Sequence, residues 1–173
     1  FLEVTLGIDA ESAARLFSCF PILAMVLTPF LGALLDFRGK GATLIVVGPV
    51  IMIACHLSFA FLLPVFPSKC LALLLVVTLG VSFSLVPAAL WPSVPKIIDA
   101  KILGSAYCLI FWIQNVGLCL VPLLIGKVLD ATGGYTVPMI IFSSFGVLAF
   151  IFSFYLKIED RRKNYGLEKP NII

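Results

Sequence analysis

Five long apolar stretches dominate this chain and restrict it to a fold that crosses a membrane. Each is about as long as the ~20 residues that a helix needs to span the hydrocarbon core of a bilayer. Apart from Arg15 in the first turn of the first stretch, every Asp, Glu, Lys and Arg lies at a boundary or in a connection. The predicted spans are residues 13–35, 42–63, 71–94, 104–126 and 137–156.

The composition agrees with a lipid environment. Hydrophobic residues make up 61% of the chain and charged residues 12%, with a mean hydropathy of +1.16. Soluble domains carry roughly a quarter of charged residues, so a soluble domain is excluded. In lipid, backbone polar groups must pair within helices or a closed barrel. Because the stretches lack the period-two alternation of barrel strands, we predict an all-α membrane protein.

Several other classes of protein find no support in the composition. The net charge of +3 is too small to suggest nucleic-acid binding. Five cysteines show no CxxC spacing and four lie in apolar stretches, so we expect no disulfide framework, metal site or cofactor. Residues 1–11 lack the pattern of a signal peptide. The start at Phe1 and the odd number of spans suggest a piece of a longer protein.

Basic residues are distributed unequally between the two ends of the predicted spans. One end carries nine Lys and Arg and the other three, and the richer end usually faces the cytosol. This predicts a cytosolic turn at residues 36–41 and a cytosolic tail at 157–173, following a membrane domain over 1–156. In the tail, an interfacial basic stop at 157–162 is expected to precede a short flexible end. The nine are Arg38, Lys40, Lys96, Lys101, Lys157, Arg161, Arg162, Lys163 and Lys169, and the three are Arg15, Lys69 and Lys127.

The pattern Gly-x-x-Leu-Asp-x-x-Gly occurs twice in the chain. Its copies, at 32–39 and 126–133, end the first and fourth spans. Three spans separate them, so they fall on opposite sides of the membrane, as in an inverted three-plus-three repeat. Coincidence is the alternative, since Gly and Asp are common at helix ends.

The first copy resembles the signature loop of the major facilitator superfamily. It stands here as Gly32-Ala33-Leu34-Leu35-Asp36-Phe37-Arg38-Gly39-Lys40. The resemblance implies that the five spans correspond to helices eight to twelve of a twelve-helix transporter. Helix seven and the N-terminal half of the same transporter would then be partners that lie outside this sequence.

A narrower resemblance, to one lysosomal group within this superfamily, rests on three segments. These are residues 89–92, 104–107 and 113–118, which read Ala-Leu-Trp-Pro, Gly-Ser-Ala-Tyr and Ile-Gln-Asn-Val-Gly-Leu. The resemblance implies export of small solutes, such as dipeptides or amino-acid-like compounds, across the lysosomal membrane by alternating access. It also implies a glycosylated membrane partner. A sugar or organic-anion transporter at the plasma membrane and a non-transporting truncated scaffold remain alternatives.

The signature loop contains the candidate conformational latch. Gly32 and Gly39 would permit close helix approach and a tight turn. Asp36 can accept hydrogen bonds from the N-terminus of a neighbouring helix. Arg38 and Lys40 would anchor the loop at the anionic leaflet, and the resemblance implies that the basic residue helps to hold the two halves of the transporter together. The alternative is a plain loop that obeys the positive-inside rule.

The third span carries three prolines near its basic end, at positions 87, 92 and 95. Each removes a backbone donor, which favours a bent helix that could act as a gate. Trp91 and Pro92 are therefore candidate gate residues. Alternatively, the prolines reflect their general frequency in membrane helices, and Trp91 belongs to the interfacial aromatic belt.

Tyr107, Phe111, Gln114 and Asn115 share one face of the fourth span. Carboxamides are costly against lipid, so this face should point into the bundle. Both carboxamides can donate and accept, which suits a peptide-like or polyhydroxyl small-molecule substrate. Interhelical hydrogen bonding is the alternative role.

His56, the only histidine, lies inside the second span. A proton relay would need a titratable partner, and the spans offer none at that depth, so we expect a packed, hydrogen-bonded imidazole. An intramembrane hydrolase would need an acid to orient this base, so we expect no enzyme.

Overall fold

The computed structural model describes residues 1–172 and consists of helices joined by short connections. Five helices are long and apolar enough to cross a bilayer, which confirms the predicted all-α membrane fold. They are Ala10–Arg38, Gly41–Val65, Lys69–Ile97, Ala100–Thr132 and Thr136–Lys163, named below the first to fifth helices. A short helix, Leu2–Leu6, precedes them.

Every helix extends beyond the apolar stretch that predicted it. The first begins at an Asp9 cap, whose carboxylate accepts hydrogen bonds from the backbone N–H and hydroxyl of Ser12 at 2.9 and 2.7 Å. These bonds lower the pKa of the Asp9 carboxyl below its usual value. The fifth helix continues to Lys163, so the segment predicted as tail from residue 157 begins as helix. Hydropathy finds the lipid-facing length, whereas caps and polar turns set the true ends.

The second helix contains one wide turn near its C-terminal end. Residues Ser58–Leu62 form a π-helical segment just before Pro64. A proline ring clashes with the carbonyl four residues earlier in a regular α-helix. The wider turn avoids this clash, and the helix resumes over Leu63–Val65.

The first, second, third and fifth helices pack side by side, and the fourth helix lies at the edge of this group. The first packs on the third, the third on the second, and the second on the fifth. At the crossing of the second and third helices, the Ser82 hydroxyl donates to the Gly48 carbonyl at 2.7 Å. A Cβ on Gly48 would come within 2.6 Å of Val86, so only glycine permits this approach. The fourth helix has no buried residue.

The two ends of the bundle differ as the charge count predicted. At one end, here called the basic end, Lys96 of the third helix and Lys157 of the fifth lie close to the loop between the first and second helices. At the other end, the ring of Phe1 packs edge-on against Phe59 and Tyr135, with centroids 5.7 and 5.4 Å apart. The fold therefore gathers these basic residues at one end and aromatic rings at the other.

Candidate functional site

The loop between the first and second helices is very short. The first helix ends at Arg38 and the second begins at Gly41, which leaves Gly39 and Lys40 to reverse the chain. Both have positive φ, 70° and 66°, and the Gly39 N–H bonds to the Leu35 carbonyl at 2.8 Å. Glycine adopts a positive φ freely. At Lys40, which has a side chain, the left-handed conformation costs about 1–2 kcal/mol.

The segment 164–172, named here the C-terminal strap, folds back over this loop. The backbone N–H groups of Lys40 and Gly41 donate to the carbonyls of Glu168 and Leu167 at 3.0 and 2.9 Å. Leu167 is only 2% exposed. The end that was expected to be flexible is thus docked in the structure, because the second helix offers unpaired N–H donors at its start and the strap supplies carbonyls to them.

Among the described residues, the strap holds Asp36. Its carboxylate accepts a hydrogen bond from the Asn171 side chain at 2.6 Å, and its backbone carbonyl accepts from the N–H groups of Asn171 and Ile172 at 2.9 and 3.0 Å. The structure thus brings the central acid of the predicted latch together with a residue that sequence reasoning missed. Leu167, an apolar residue between Gly166 and Glu168, was the available signal.

The other predicted latch residues fall into two groups. A Cβ on Gly39 would clash with the backbone of Glu168 and Lys169, so this glycine does permit a close approach, though to the strap. A Cβ added to Gly32 would meet no atom of the described residues within 4 Å. Arg38 and Lys40 are exposed.

A second polar cluster fixes the strap to the second and fifth helices. The Thr43 hydroxyl donates to the Glu168 carboxylate at 2.7 Å, and the Lys157 ammonium donates to the same hydroxyl oxygen at 2.8 Å. On the other side, the carboxylate of Asp160, which is 5% exposed, accepts from the Leu167 N–H at 3.0 Å. Sequence reasoning missed all of these contacts because most of their partners are distant in the chain.

The candidate gate residues of the third and fourth helices lie in direct contact. The Trp91 indole stacks on the Phe111 ring with centroids 4.8 Å apart and planes 21° apart. The Tyr107 hydroxyl donates to the Trp91 carbonyl at 3.1 Å. That carbonyl lies four residues before Pro95, which has no N–H to offer it, so the tyrosine supplies a donor that the proline removes.

A cavity of about 590 Å³ lies between the second, third, fourth and fifth helices. Trp91 and Gln114 line it, together with mainly apolar side chains and the hydroxyls of Ser82 and Ser153. Both hydroxyls are engaged, with the carbonyls of Gly48 and Phe150 at 2.7 and 2.9 Å. The Gln114 carboxamide makes no hydrogen bond to residues 1–172, which leaves it available to a solute.

Four predicted site residues do not line this cavity: Phe111 and Tyr107 contact Trp91 instead, and the other two, Asn115 and Pro92, lie elsewhere. Asn115 is exposed and donates to the Phe111 carbonyl of its own helix at 2.7 Å. Pro92 lines a separate cavity of about 20 Å³ beside the strap residue Leu167. The two carboxamides of the fourth helix therefore do not form a pair in one site.

A further cavity, of about 410 Å³, opens at the end opposite the basic one. His56 lines it, with Nδ1 donating to the Met52 carbonyl at 2.8 Å and its ring 5.4 Å from that of Phe142. The packed, hydrogen-bonded imidazole was expected. Glu3 of the short helix Leu2–Leu6 lines the same cavity, a neighbour that lies outside the predicted spans.

The two copies of the sequence repeat share their helix ending. At Gly133, as at Gly39, a glycine with positive φ closes the helix, and its N–H bonds to the preceding Leu129 carbonyl at 2.8 Å. The second copy has no strap against it, and nothing lies within 4 Å of a Cβ on Gly133 among the described residues. The two glycines differ in ψ, which is −141° at Gly39 and 10° at Gly133. The copies therefore share only a positive φ and the closing hydrogen bond, which both an inverted repeat and coincidence explain.

Known proteins resemble this chain in sequence. The sequence profile of the Major Facilitator Superfamily matches residues 1–171. The Lysosomal dipeptide transporter MFSD1 of Bos taurus is 31% identical over 134 residues, which cover 77% of this chain and 27% of that protein. The MFSD1 proteins of Mus musculus and Danio rerio are 33% and 30% identical, over 72% and 93% of this chain and 26% and 33% of their own lengths. The chain thus spans about a third or less of these relatives.

Proposed function

Because this chain belongs to the major facilitator superfamily, a class of transporters rather than enzymes, we propose that it forms helices eight to twelve of a secondary transporter. The protein would carry small solutes across a membrane by alternating access, together with helix seven and an N-terminal half. The match of the family profile to nearly the whole chain and the five membrane-length helices support this proposal.

The proposal rests mainly on the cavity that Gln114 lines. Its volume of about 590 Å³ lies in the range of roughly 300–1,000 Å³ that is usual for small-molecule sites. Its walls are mainly apolar, and one carboxamide is free to donate and to accept. This combination suits a solute with a peptide bond and apolar side chains.

Dipeptides are the proposed substrate class, and the lysosomal membrane is the proposed location. The relatives that match are named lysosomal dipeptide transporters, which supports both points. A glycosylated lysosomal membrane protein is the proposed partner. The plasma membrane is the alternative location, and sugars or organic anions are the alternative substrates.

Each predicted site residue has a place in this mechanism. Gln114 orients the solute, while Trp91, stacked on Phe111 and bonded through Tyr107, closes the cavity toward the basic end. Pro92 lets the third helix move at that end, and Asn115 faces the missing half. The latch that holds the halves in one access state consists of Gly32, Asp36, Arg38, Gly39 and Lys40.

The test is counterflow into proteoliposomes that contain the full-length transporter, with dipeptides, sugars and organic anions as competing solutes. We expect exchange with dipeptides and none with the other two classes. Exchange restricted to sugars or organic anions would contradict the assignment of dipeptides and support one of the alternative substrates. An absence of exchange with every solute would favour the scaffold over the transporter.

A matched pair of variants links transport to the cavity. Gln114→Leu removes the free carboxamide, so we expect the KM for dipeptides to rise about fivefold or more, the value of one hydrogen bond. Asn115→Leu changes the neighbouring carboxamide, which bonds within its own helix. Its KM should stay near that of the parent, and equal effects of both changes would contradict the assignment of Gln114.

A further inference from the structure

We propose that the C-terminal strap regulates the latch by competing with the N-terminal half for Asp36. While the strap is docked, Asp36 is unavailable and the basic end is free to open; when it leaves, Asp36 can latch the halves and that end closes. The inference rests on the proposed function, since it assigns a regulator to the same latch.

The first support is that the strap occupies the polar groups at the centre of the loop. The carboxylate and the carbonyl of Asp36 accept three hydrogen bonds from Asn171 and Ile172. The N–H groups of Lys40 and Gly41 are paired with strap carbonyls. While the strap is docked, the loop therefore has few unpaired polar groups left with which to bind a helix of the other half.

The second support is steric. The backbone of Glu168 and Lys169 lies where a Cβ of Gly39 would be, and the Leu167 carbonyl lies 2.8 Å from a Cβ on Gly41. The strap thus fills the space that these glycines leave open. A helix from another half could reach the loop only after the strap has left, so the two states exclude each other.

The third support is that the strap bridges three further elements at the basic end. Lys96 of the third helix donates to the Gly166 carbonyl at 3.2 Å, and Asp160 of the fifth helix accepts from the Leu167 N–H. Thr43 of the second helix donates to Glu168. Docking therefore ties the ends of these helices together, and release changes the restraint on all of them at once.

The strap is also built so that it can be released. It is held mainly by hydrogen bonds at a solvent-exposed end and by one buried apolar side chain, Leu167. Asn171 and the last described residues are exposed. Segments with few buried apolar contacts open locally at a small fraction of the global unfolding free energy.

Docking is tested by hydrogen exchange of residues 164–172 in the full-length protein, measured by mass spectrometry. We expect protection in the parent, exchange about fivefold faster in Asn171→Asp, where two carboxylates would face each other, and near-complete loss of protection in Leu167→Asp. The double variant Asp36→Asn with Asn171→Asp restores a donor and an acceptor in swapped positions, so protection should return. Lys169→Gln alters an exposed strap side chain and is the matched control. Unprotected exchange in the parent would overturn the proposal.

Regulation is tested by labelling a cavity residue, Ala149→Cys, with a membrane-impermeant maleimide applied at the basic end, in a background without other reactive cysteines. With the strap released by Leu167→Asp, we expect labelling to slow severalfold, because the freed latch closes that end; Lys169→Gln should not change it. Unchanged or faster labelling on release would overturn the proposal even where counterflow is intact. Loss of counterflow in the parent would instead reject the proposed function, and the two failures are thereby distinguished.

Discussion

At the scale of single residues, the two glycines of the signature loop have different surroundings despite their shared motif. Gly39 has φ of 70° and lies against the strap backbone, whereas Gly32 lies within the first helix with open space around it. The sequence predicted a close helix approach and a tight turn from both glycines, and only Gly39 lies in the turn. It could not predict the strap, because the contact depends on a residue pairing across more than a hundred positions.

Gly39→Ala is therefore expected to be the more harmful of two matched substitutions. The added Cβ meets backbone atoms of the strap, and a side chain at φ 70° and ψ −141° adds backbone strain of about 1–3 kcal/mol. We expect a lower melting temperature of the full-length protein in detergent and faster hydrogen exchange of the strap.

Gly32→Ala is the control, since alanine favours helix and meets no atom of residues 1–172. Its melting temperature should equal or exceed that of the parent. A loss at Gly32 as large as at Gly39 would show that another part of the full-length protein packs against that position.

At the scale of helices, the sequence predicted each span and its type but not its neighbours. A charge-free run of about 20 apolar residues has few structural alternatives in lipid, so the five helices followed directly from the physics of the bilayer. The order of packing did not, because all five stretches are apolar on most faces. Contacts such as that of Ser82 with Gly48 depend on the complementary shapes of two helices, which one sequence alone does not reveal.

The third helix carries the prediction that belongs to this scale. It runs unbroken from Lys69 to Ile97 through Pro87, Pro92 and Pro95, and Pro87 lines the large cavity. In Pro87→Ala the restored N–H can bond to the carbonyl of Phe83, which stabilises the helix by about 1 kcal/mol.

If this helix is a gate, the same change should stiffen it and slow the turnover of dipeptide exchange while the melting temperature rises. Turnover by counterflow and melting in detergent are measured on the same preparation. A higher melting temperature with unchanged turnover would mean that the proline only reflects the usual composition of membrane helices.

At the scale of the whole molecule, the fourth helix leaves one polar side chain of the described bundle uncovered, that of Asn115. Exposed apolar side chains are normal against lipid and indicate nothing by themselves. Asn115 is different, because it is exposed on a helix of membrane length, and polar side chains within spans almost always face protein or water. The N-terminal half proposed above would cover this side chain.

Spin labels at two positions of the fourth helix test this in bilayers. Asn115→Cys and Leu120→Cys lie five residues apart and point in clearly different directions around the helix; Leu120 is 58% exposed. In the full-length protein we expect the label at Asn115 to be shielded from lipid-dissolved oxygen and the label at Leu120 to remain accessible. In the 173-residue chain alone, both labels should be accessible, because nothing among residues 1–172 buries either position. Equal accessibility at both positions in the full-length protein would contradict a covered polar face and, with it, the placement of the fourth helix at the contact between two halves.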